Sequence, residues 1–243
     1  MQKNWFKSWF DSPYYHLLYN HRDYSEAEFF IANLFSFLSP KKNSKVLDLA
    51  CGKGRHALQI HQFGNDVLGV DLSPKSIEAA NEMKDRGLAF ETGDMRELSY
   101  IDEFDIVVNL FTSFGYFQQE GDNVKVITSI AKALKSNGIL VLDYLNVTKV
   151  EKTLPIEHYI ERGEITFKVN KSVKGSFIVK DISFSDNGEA FSFQEHVKRF
   201  TEKHFREIFS DCGLEIQNVF GNYDLNIFDE KTSDRLILIA KKK

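Results

Sequence analysis

The sequence predicts an α/β fold: a parallel sheet covered by helices and finished by an antiparallel hairpin, with a helical cap at the amino terminus and an antiparallel β meander inserted late in the chain. Three observations carry this. Five short apolar runs, 46–49, 67–71, 88–91, 104–109 and 139–145, alternate with amphipathic stretches, the rhythm of buried parallel strands joined by helices. After Asn146 the rhythm switches to longer runs rich in Val, Ile and Phe, separated by turn residues. Two final runs, 214–220 and 235–240, bring the sheet to seven strands and pair as a hairpin with a loop between them.

Taken in chain order, residues 1–40 are rich in aromatics at helical spacing, as in Phe29, Phe30, Leu34, Phe37 and Leu38, and Ser39-Pro40 stops them. Helices are expected near 54–63, 74–86 and 123–136, closed by Gly64, Gly87 and Asn137-Gly138. Ser73-Pro74 is a good helix start, because serine caps free amides and proline at the first helical position loses no hydrogen bond. In the meander, Ile165–Val173, Phe177–Phe184 and Glu189–Phe200 read as strands, with turns at Lys174-Gly175 and Asp186-Asn187-Gly188. Thr201 then caps a helix running to Cys212-Gly213. Residues 1–146 and 201–243 are thus expected to form one α/β domain with its helical cap, and 147–200 the insert.

Composition narrows the function classes. The 243 residues carry 35 acidic and 31 basic side chains, a net charge of −4, and 42% are hydrophobic, which argues against disorder and leaves no global basic field for nucleic acid or an anionic membrane. No apolar run approaches the roughly 20 residues a spanning helix requires, and the first residues lack a secretion signal's apolar stretch, so a cytoplasmic location is expected. Cys51 and Cys212 fit neither a metal spacing nor a disulfide framework, and the seven histidines form no metal pattern.

The strongest local signal is Val46-Leu47-Asp48-Leu49-Ala50-Cys51-Gly52-Lys53-Gly54, a buried strand that ends in a turn of small residues and enters a helix. Such a turn lets the backbone pass close to a ligand lying over the helix amino end. Asp71 ends the second run 23 residues after Asp48, where an acid accepts from both ribose hydroxyls. Asp94 follows 23 residues later in Gly93-Asp94-Met95, placed to accept from an adenine amine while Met95 packs on the ring. Gly52-Lys53-Gly54-Arg55-His56-Ala57 also satisfies the dinucleotide spacing, but Asp48, four residues before Gly52, would repel a pyrophosphate and suits an amino-bearing ligand. Asp48 has a structural alternative, holding the turn by accepting backbone amides.

These segments, with Val70-Asp71-Leu72-Ser73-Pro74 and Gly93-Asp94-Met95-Arg96, resemble the first three motifs of the class I S-adenosylmethionine-dependent methyltransferases. The resemblance implies a Rossmann-like sheet, S-adenosylmethionine as cofactor, and Gly52 and Gly54 beside its methionine part. Asp71 would bind the ribose, and Asp94 and Met95 the adenine. Ala50, Leu72 and Leu110 join the cofactor-contacting set. The segment from Phe104 to Phe117 is similar to the fourth-strand region of bacterial small-molecule methyltransferases, including amino-sugar N,N-dimethyltransferases, which also carry a β insertion after the fifth strand. Their amino-terminal Tyr and Arg residues help to bind the cofactor, which implies that role for Tyr14, Tyr19 and Arg22. Asp143-Tyr144-Leu145-Asn146 departs from the amino-sugar enzymes and leaves the acceptor open.

Methyl transfer from a sulfonium is an in-line displacement, so the protein mainly aligns a nucleophile and excludes water. Sheet geometry puts the ends of the fourth and fifth strands beside the reactive end of the cofactor, which makes Asn109, Tyr116, Asp143 and Asn146 the candidates for orienting the acceptor. Tyr116 as a packing aromatic and Asp143 as a loop cap are the structural alternatives. Leu110-Phe111 after Asn109 lacks the prolines that nucleic-acid amino methyltransferases carry there. The expected activity is methyl transfer to a small molecule, nitrogen before oxygen, without nucleic acid or membrane as partner. A catalytically silent cofactor-binding sensor or assembly subunit is the alternative, and an NAD-dependent oxidoreductase the third reading. The insert is expected over the carboxyl edge of the sheet as a lid, or, through exposed aromatics among Phe167, Phe177, Phe184, Phe191 and Phe193, as a homodimer surface.

Overall fold

A computed structural model describes residues 5–19 and 24–243. Three helices open the chain, α1 (Trp5–Phe10), α2 (Pro13–Leu18) and α3 (Tyr24–Leu38). The nucleotide-binding domain follows with β1 (Lys45–Leu49), α4 (Arg55–Gln62), β2 (Asp66–Asp71), α5 (Pro74–Ala80), β3 (Leu88–Thr92), β4 (Phe104–Asn109), α6 (Glu120–Ala133) and β5 (Leu134–Leu145). The short α7 (Val147–Glu151) leads into the insert, β6 (Ile156–Arg162), β7 (Ile165–Lys174), β8 (Phe177–Asp186) and β9 (Glu189–Lys198). The chain closes with α8 (Glu202–Asp211), β10 (Leu214–Phe220) and β11 (Arg235–Lys242).

The main sheet has the order β10-β11-β5-β4-β1-β2-β3. The five strands from β5 to β3 pair in parallel, β11 joins β5 antiparallel, and β10 pairs antiparallel with β11 as the expected hairpin. Val46, Leu47 and Leu49 of β1 are wholly buried, each worth about 1.5–3 kcal/mol in burial. Strand order reverses between β1 and β4, so a crevice opens above the β1 end, the usual ligand position in such sheets.

Several expectations are corrected. The 74–86 helix ends at Ala80, with a single 3-10 turn over Asn81–Met83, because Lys84 turns extended and Asp85 bridges to Leu88. The 123–136 helix starts at Glu120 and stops at Ala133. Leu134 already pairs with Phe104, and Asn137, left-handed at φ 64°, sits in a kink inside β5. The insert has four strands where three were expected, order β6-β7-β8-β9. The insert aromatics do not form an exposed patch. Phe167, Phe177 and Phe184 are buried, while Phe193 lies 4.4 Å from Trp9 and Phe191 4.8 Å from Tyr14, under the amino-terminal helices. Ser73 caps α5 by accepting from Ser76, as the Ser-Pro start predicted.

The insert meets the carboxyl edge of the main sheet. Lys198 donates its amide to Gly115 at 2.8 Å, and the buried Tyr144 hydroxyl donates to the Lys198 carbonyl at 2.6 Å. The helical cap closes the third side, since Ser73 donates to Asp11 at 2.6 Å and Arg162 of β6 reaches the Leu18 carbonyl at 3.3 Å. Among the described residues no helix is long and apolar enough to cross a membrane.

Candidate active site

The turn after β1 folds as a cradle. Ala50 and Cys51 donate their amides to Val70 at 2.7 and 3.1 Å, locking β1 to β2, and Ala50, Gly52 and Gly54 all take positive φ, 62°, 55° and 80°. The two glycines differ in purpose. A Cβ on Gly54 would meet Phe90 at 2.6 Å, whereas one on Gly52 would meet nothing within 4 Å, because Gly52 faces open space. Asp71 sits beside it, accepting the Gly52 amide and the Ser73 amide at 2.8 Å each. Burial pushes its carboxyl above the ordinary range.

A cleft of about 380 Å³ runs over this turn, lined by Ala50, Gly52, Asp71, Tyr15, Tyr19 and Tyr116 among others. It continues past Asp71 into a slot walled by Leu72, Asp94, Met95 and Phe117 under Phe6 and Phe10. That slot measures about 50 Å³. Asp94 holds Arg96 at 2.6 Å, and the Arg96 guanidinium lies 4.6 Å from the centre of the Phe117 ring.

The chain's own polar groups fit S-adenosylmethionine. Asp48 is fully buried below the turn, accepts the Ala57 amide, and leaves Oδ2 without a partner. Burial, with Asp71 nearby, pushes its carboxyl up to about 7. Asp48 lines neither the cleft nor the slot, so it acts on a ligand through its charge, which suits one that brings an amino group or positive charge and disfavours a pyrophosphate.

A second cavity of about 910 Å³ lies between the loop after β4, the insert, the helical cap and the loop before β11. It shares Phe10, Tyr15, Tyr19, Ser113 and Tyr116 with the cleft, so those five residues mark a junction. At the junction Tyr19 donates to Glu195 at 2.7 Å and receives a short bond from the Lys180 ammonium, which lies 4.4 Å over its ring. Trp9 donates to the same Glu195 oxygen at 2.8 Å.

The sequence-derived candidates divide accordingly. Ala50, Gly52, Asp71, Leu72, Asp94, Met95, Tyr19 and Tyr116 line the cleft or slot. Gly54 and Asp48 lie beneath the turn, and Leu110 is buried in the core. Tyr14 points elsewhere, donating to Asp186 at 2.8 Å and packing on Phe184. Arg22 lies outside the described residues. Of the four acceptor candidates Tyr116 alone lines a cavity, its hydroxyl on the Thr112 carbonyl at 2.6 Å. Asn109 is buried and ties β4 to β1 through the Leu49 carbonyl at 2.9 Å. Asp143 is buried against Arg235, and Asn146 donates to the Glu230 and Ser233 carbonyls. Glu195, Lys180 and Arg235 were not foreseen, since nothing in their local sequence marks them and only strand register brings them to the cavity.

A family model for a methyltransferase domain matches residues 40–211. The Bacillus subtilis (strain 168) protein YqeM is 30% identical over 84% of this chain and 85% of its own. The dTDP-3-amino-3,4,6-trideoxy-alpha-D-glucopyranose N,N-dimethyltransferase of Streptomyces venezuelae is 26% identical over 82% and 87%. In fold the chain matches a crystal structure of an S-adenosylmethionine-dependent methyltransferase from Clostridium acetobutylicum ATCC 824 with a TM-score of 0.78, at 20% identity and covering 90% and 92%. The matched span runs through all three glycine and carboxylate motifs and the whole insert, and on that ground the chain belongs to the methyltransferase domain family within the class I S-adenosylmethionine-dependent superfamily.

Proposed function

We propose that the protein transfers a methyl group from S-adenosylmethionine to a nitrogen of a small molecule. The observation that carries this reading is the meeting of two cavities at one aromatic junction. The narrow cleft carries the glycine turn and Asp71, and the wider cavity has room for a separate acceptor. Nitrogen is favoured by the likeness to the Streptomyces venezuelae N,N-dimethyltransferase.

The cofactor, when bound, supplies an electrophilic methyl carbon, which leaves the chain to orient the acceptor and keep water out. Asp71 offers the ribose hydroxyls its free lone pairs, and Gly52 keeps the turn clear of side chains. Tyr15 and Phe10 present aromatic faces and edges at the junction, with Trp5 packed behind Phe10 in the wider cavity, and these suit a cationic nitrogen and exclude water. The hydroxyls of Tyr19, Tyr116 and Ser113 stand at the same place as hydrogen-bonding groups for the acceptor. Asn109 and Asp143 act as positioning residues beneath the loop that carries Tyr116 and Ser113, while Asn146 holds the loop before β11.

Calorimetric titration with S-adenosylmethionine and S-adenosylhomocysteine, with NAD as comparison, tests the donor. Micromolar binding of the first two and none of NAD is expected, followed by label transfer from methyl-labelled donor to a panel of amines. Absence of binding by both sulfur nucleotides removes the enzyme reading, and tight binding without turnover on any acceptor moves it to the silent sensor.

A further inference from the structure

Strand register places one charged row across an otherwise apolar face of the insert. Lys171 pairs with Lys180, and Lys180 with Glu195, and all three line the 910 Å³ cavity. The row on one side is Val169, Ile182 and Phe193, and on the other Val173, Ile178 and Val197. Two lysines directly opposite on neighbouring strands repel each other, a juxtaposition that sheets ordinarily avoid. Glu195, 3.8 Å away, and the Tyr19 hydroxyl answer Lys180. Among the described residues no carboxylate stands within ion-pair distance of Lys171.

A third group joins them. His158 of β6 pairs with Val169, which puts it on the same face as Lys171 and diagonal to it. Its Nδ1 is buried without a hydrogen-bond partner. Burial, and then the charges of Lys171 and Lys180, lower its proton affinity, so the three groups share one electrostatic corner. The opposite wall carries Glu26, Asp224 and Asp234, with Lys149 2.6 Å from Asp234 and the cation lining that wall, Arg235, paired with Asp143 at 2.7 Å. An anion in this cavity is therefore driven towards the insert.

We infer that Lys171 and Lys180, with His158 beside them, hold an anionic group of the acceptor, a carboxylate or a phosphate. The acceptor then carries a negative group at one end and its nucleophilic nitrogen at the other, turned towards the Tyr19 and Tyr116 junction. This substrate class rests on the reading of the cavity as the acceptor site. It assigns to the row a purpose that packing cannot, since an apolar row would cover the face better.

The full-length protein is titrated at low salt with inorganic phosphate, pyrophosphate and malonate, with and without S-adenosylhomocysteine. Saturable binding of at least one anion is expected, weakened at least fivefold in Lys171→Ala and changed less than twofold in Lys203→Ala, a control on the exposed face of α8. Preference for the phosphates or for malonate decides which anion the acceptor carries. Lack of binding by all three, or a Lys171→Ala protein that binds as tightly as the parent, overturns the inference. The cofactor arm separates the two readings. S-adenosylhomocysteine bound without any anion removes the corner and leaves methyl transfer standing, while anion binding alone does the reverse.

Discussion

Asp143, with no solvent exposure, accepts the backbone amide of Phe111 at 2.8 Å and so fixes the loop that carries the junction residues. Phe111 and Thr112 both adopt left-handed φ, 58° and 60°, at about 1–2 kcal/mol each. The Asp143 carbonyl takes the Thr112 amide at 2.9 Å, and Arg235 bridges the Asp143 carboxylate at 2.7 Å to the Thr112 hydroxyl at 3.0 Å. Strain in the loop is thus offset by one buried ion pair.

Replacing Asp143 by Ala leaves Arg235 unpaired and the Phe111 amide without its acceptor. A loss of about 3 kcal/mol is expected in urea unfolding, the scale for breaking a buried pair. A loss under about 0.5 kcal/mol would sink the view that this pair holds the loop.

Asp71→Ala removes the carboxylate that lines the cleft while also freeing the Gly52 and Ser73 amides. Binding of S-adenosylhomocysteine is expected to weaken by about 1–3 kcal/mol in calorimetry. An unchanged dissociation constant would show that the second carboxylate motif does not contact the ligand.

The two glycines separate binding from folding. Gly52→Val costs about 1–2 kcal/mol through its positive φ but fills open space, so the protein folds and loses the ligand. Gly54→Val adds a clash with Phe90 and lowers the melting temperature further. Thermal melts with and without S-adenosylhomocysteine distinguish them, and equal stability of the two variants is the contrary outcome.

Asp48 links stability to pH. Its folded carboxyl titrates at about 7, above the usual unfolded value near 3.9. The folded state therefore holds the extra proton between those values, and stability falls as pH rises from about 4 through about 7, by at most about 1.4 kcal/mol per pH unit. Asp48→Asn should remove that part of the slope in the ligand-free protein. A cationic ligand favours the ionised form, so its binding near pH 6.5 should release protons, seen as buffer-dependent heats in calorimetry. No buffer dependence would place the ligand's positive charge elsewhere.

Glu195 ties the helical cap to the insert through Trp9 and Tyr19. Glu195→Ala should cost about 2 kcal/mol, because two donors lose a charged acceptor. Hydrogen exchange of residues 5–18 should quicken against the parent. Unchanged protection there would assign the cap's stability to aromatic packing alone.

The sequence by itself determined the main sheet and the nucleotide-facing turn. Five buried runs such as Val46-Leu47-Asp48-Leu49 cannot be stable unless covered on both faces, and Ser73-Pro74 or Gly52-Lys53-Gly54 are local signals whose physics needs no distant partner. Strand β6 is not legible in the sequence, because Glu157, Glu161 and Arg162 interrupt its apolar pattern after Pro155, and an edge strand tolerates such charges. The helical spacing over 123–136 does not hold to its end, because the pairing of Leu134 with Phe104 overrides it. Tertiary structure alone decided that Asp143 and Asn109 turn inward, that the insert phenylalanines lie under Trp9 and Tyr14, and that Lys171, Lys180 and Glu195 share one wall. Those relations depend on register between strands and on contacts between segments far apart in the chain, 60 residues for Asn109 with Leu49 and 92 for Asp143 with Arg235, and a side chain's neighbours at that range are set by how the whole chain packs.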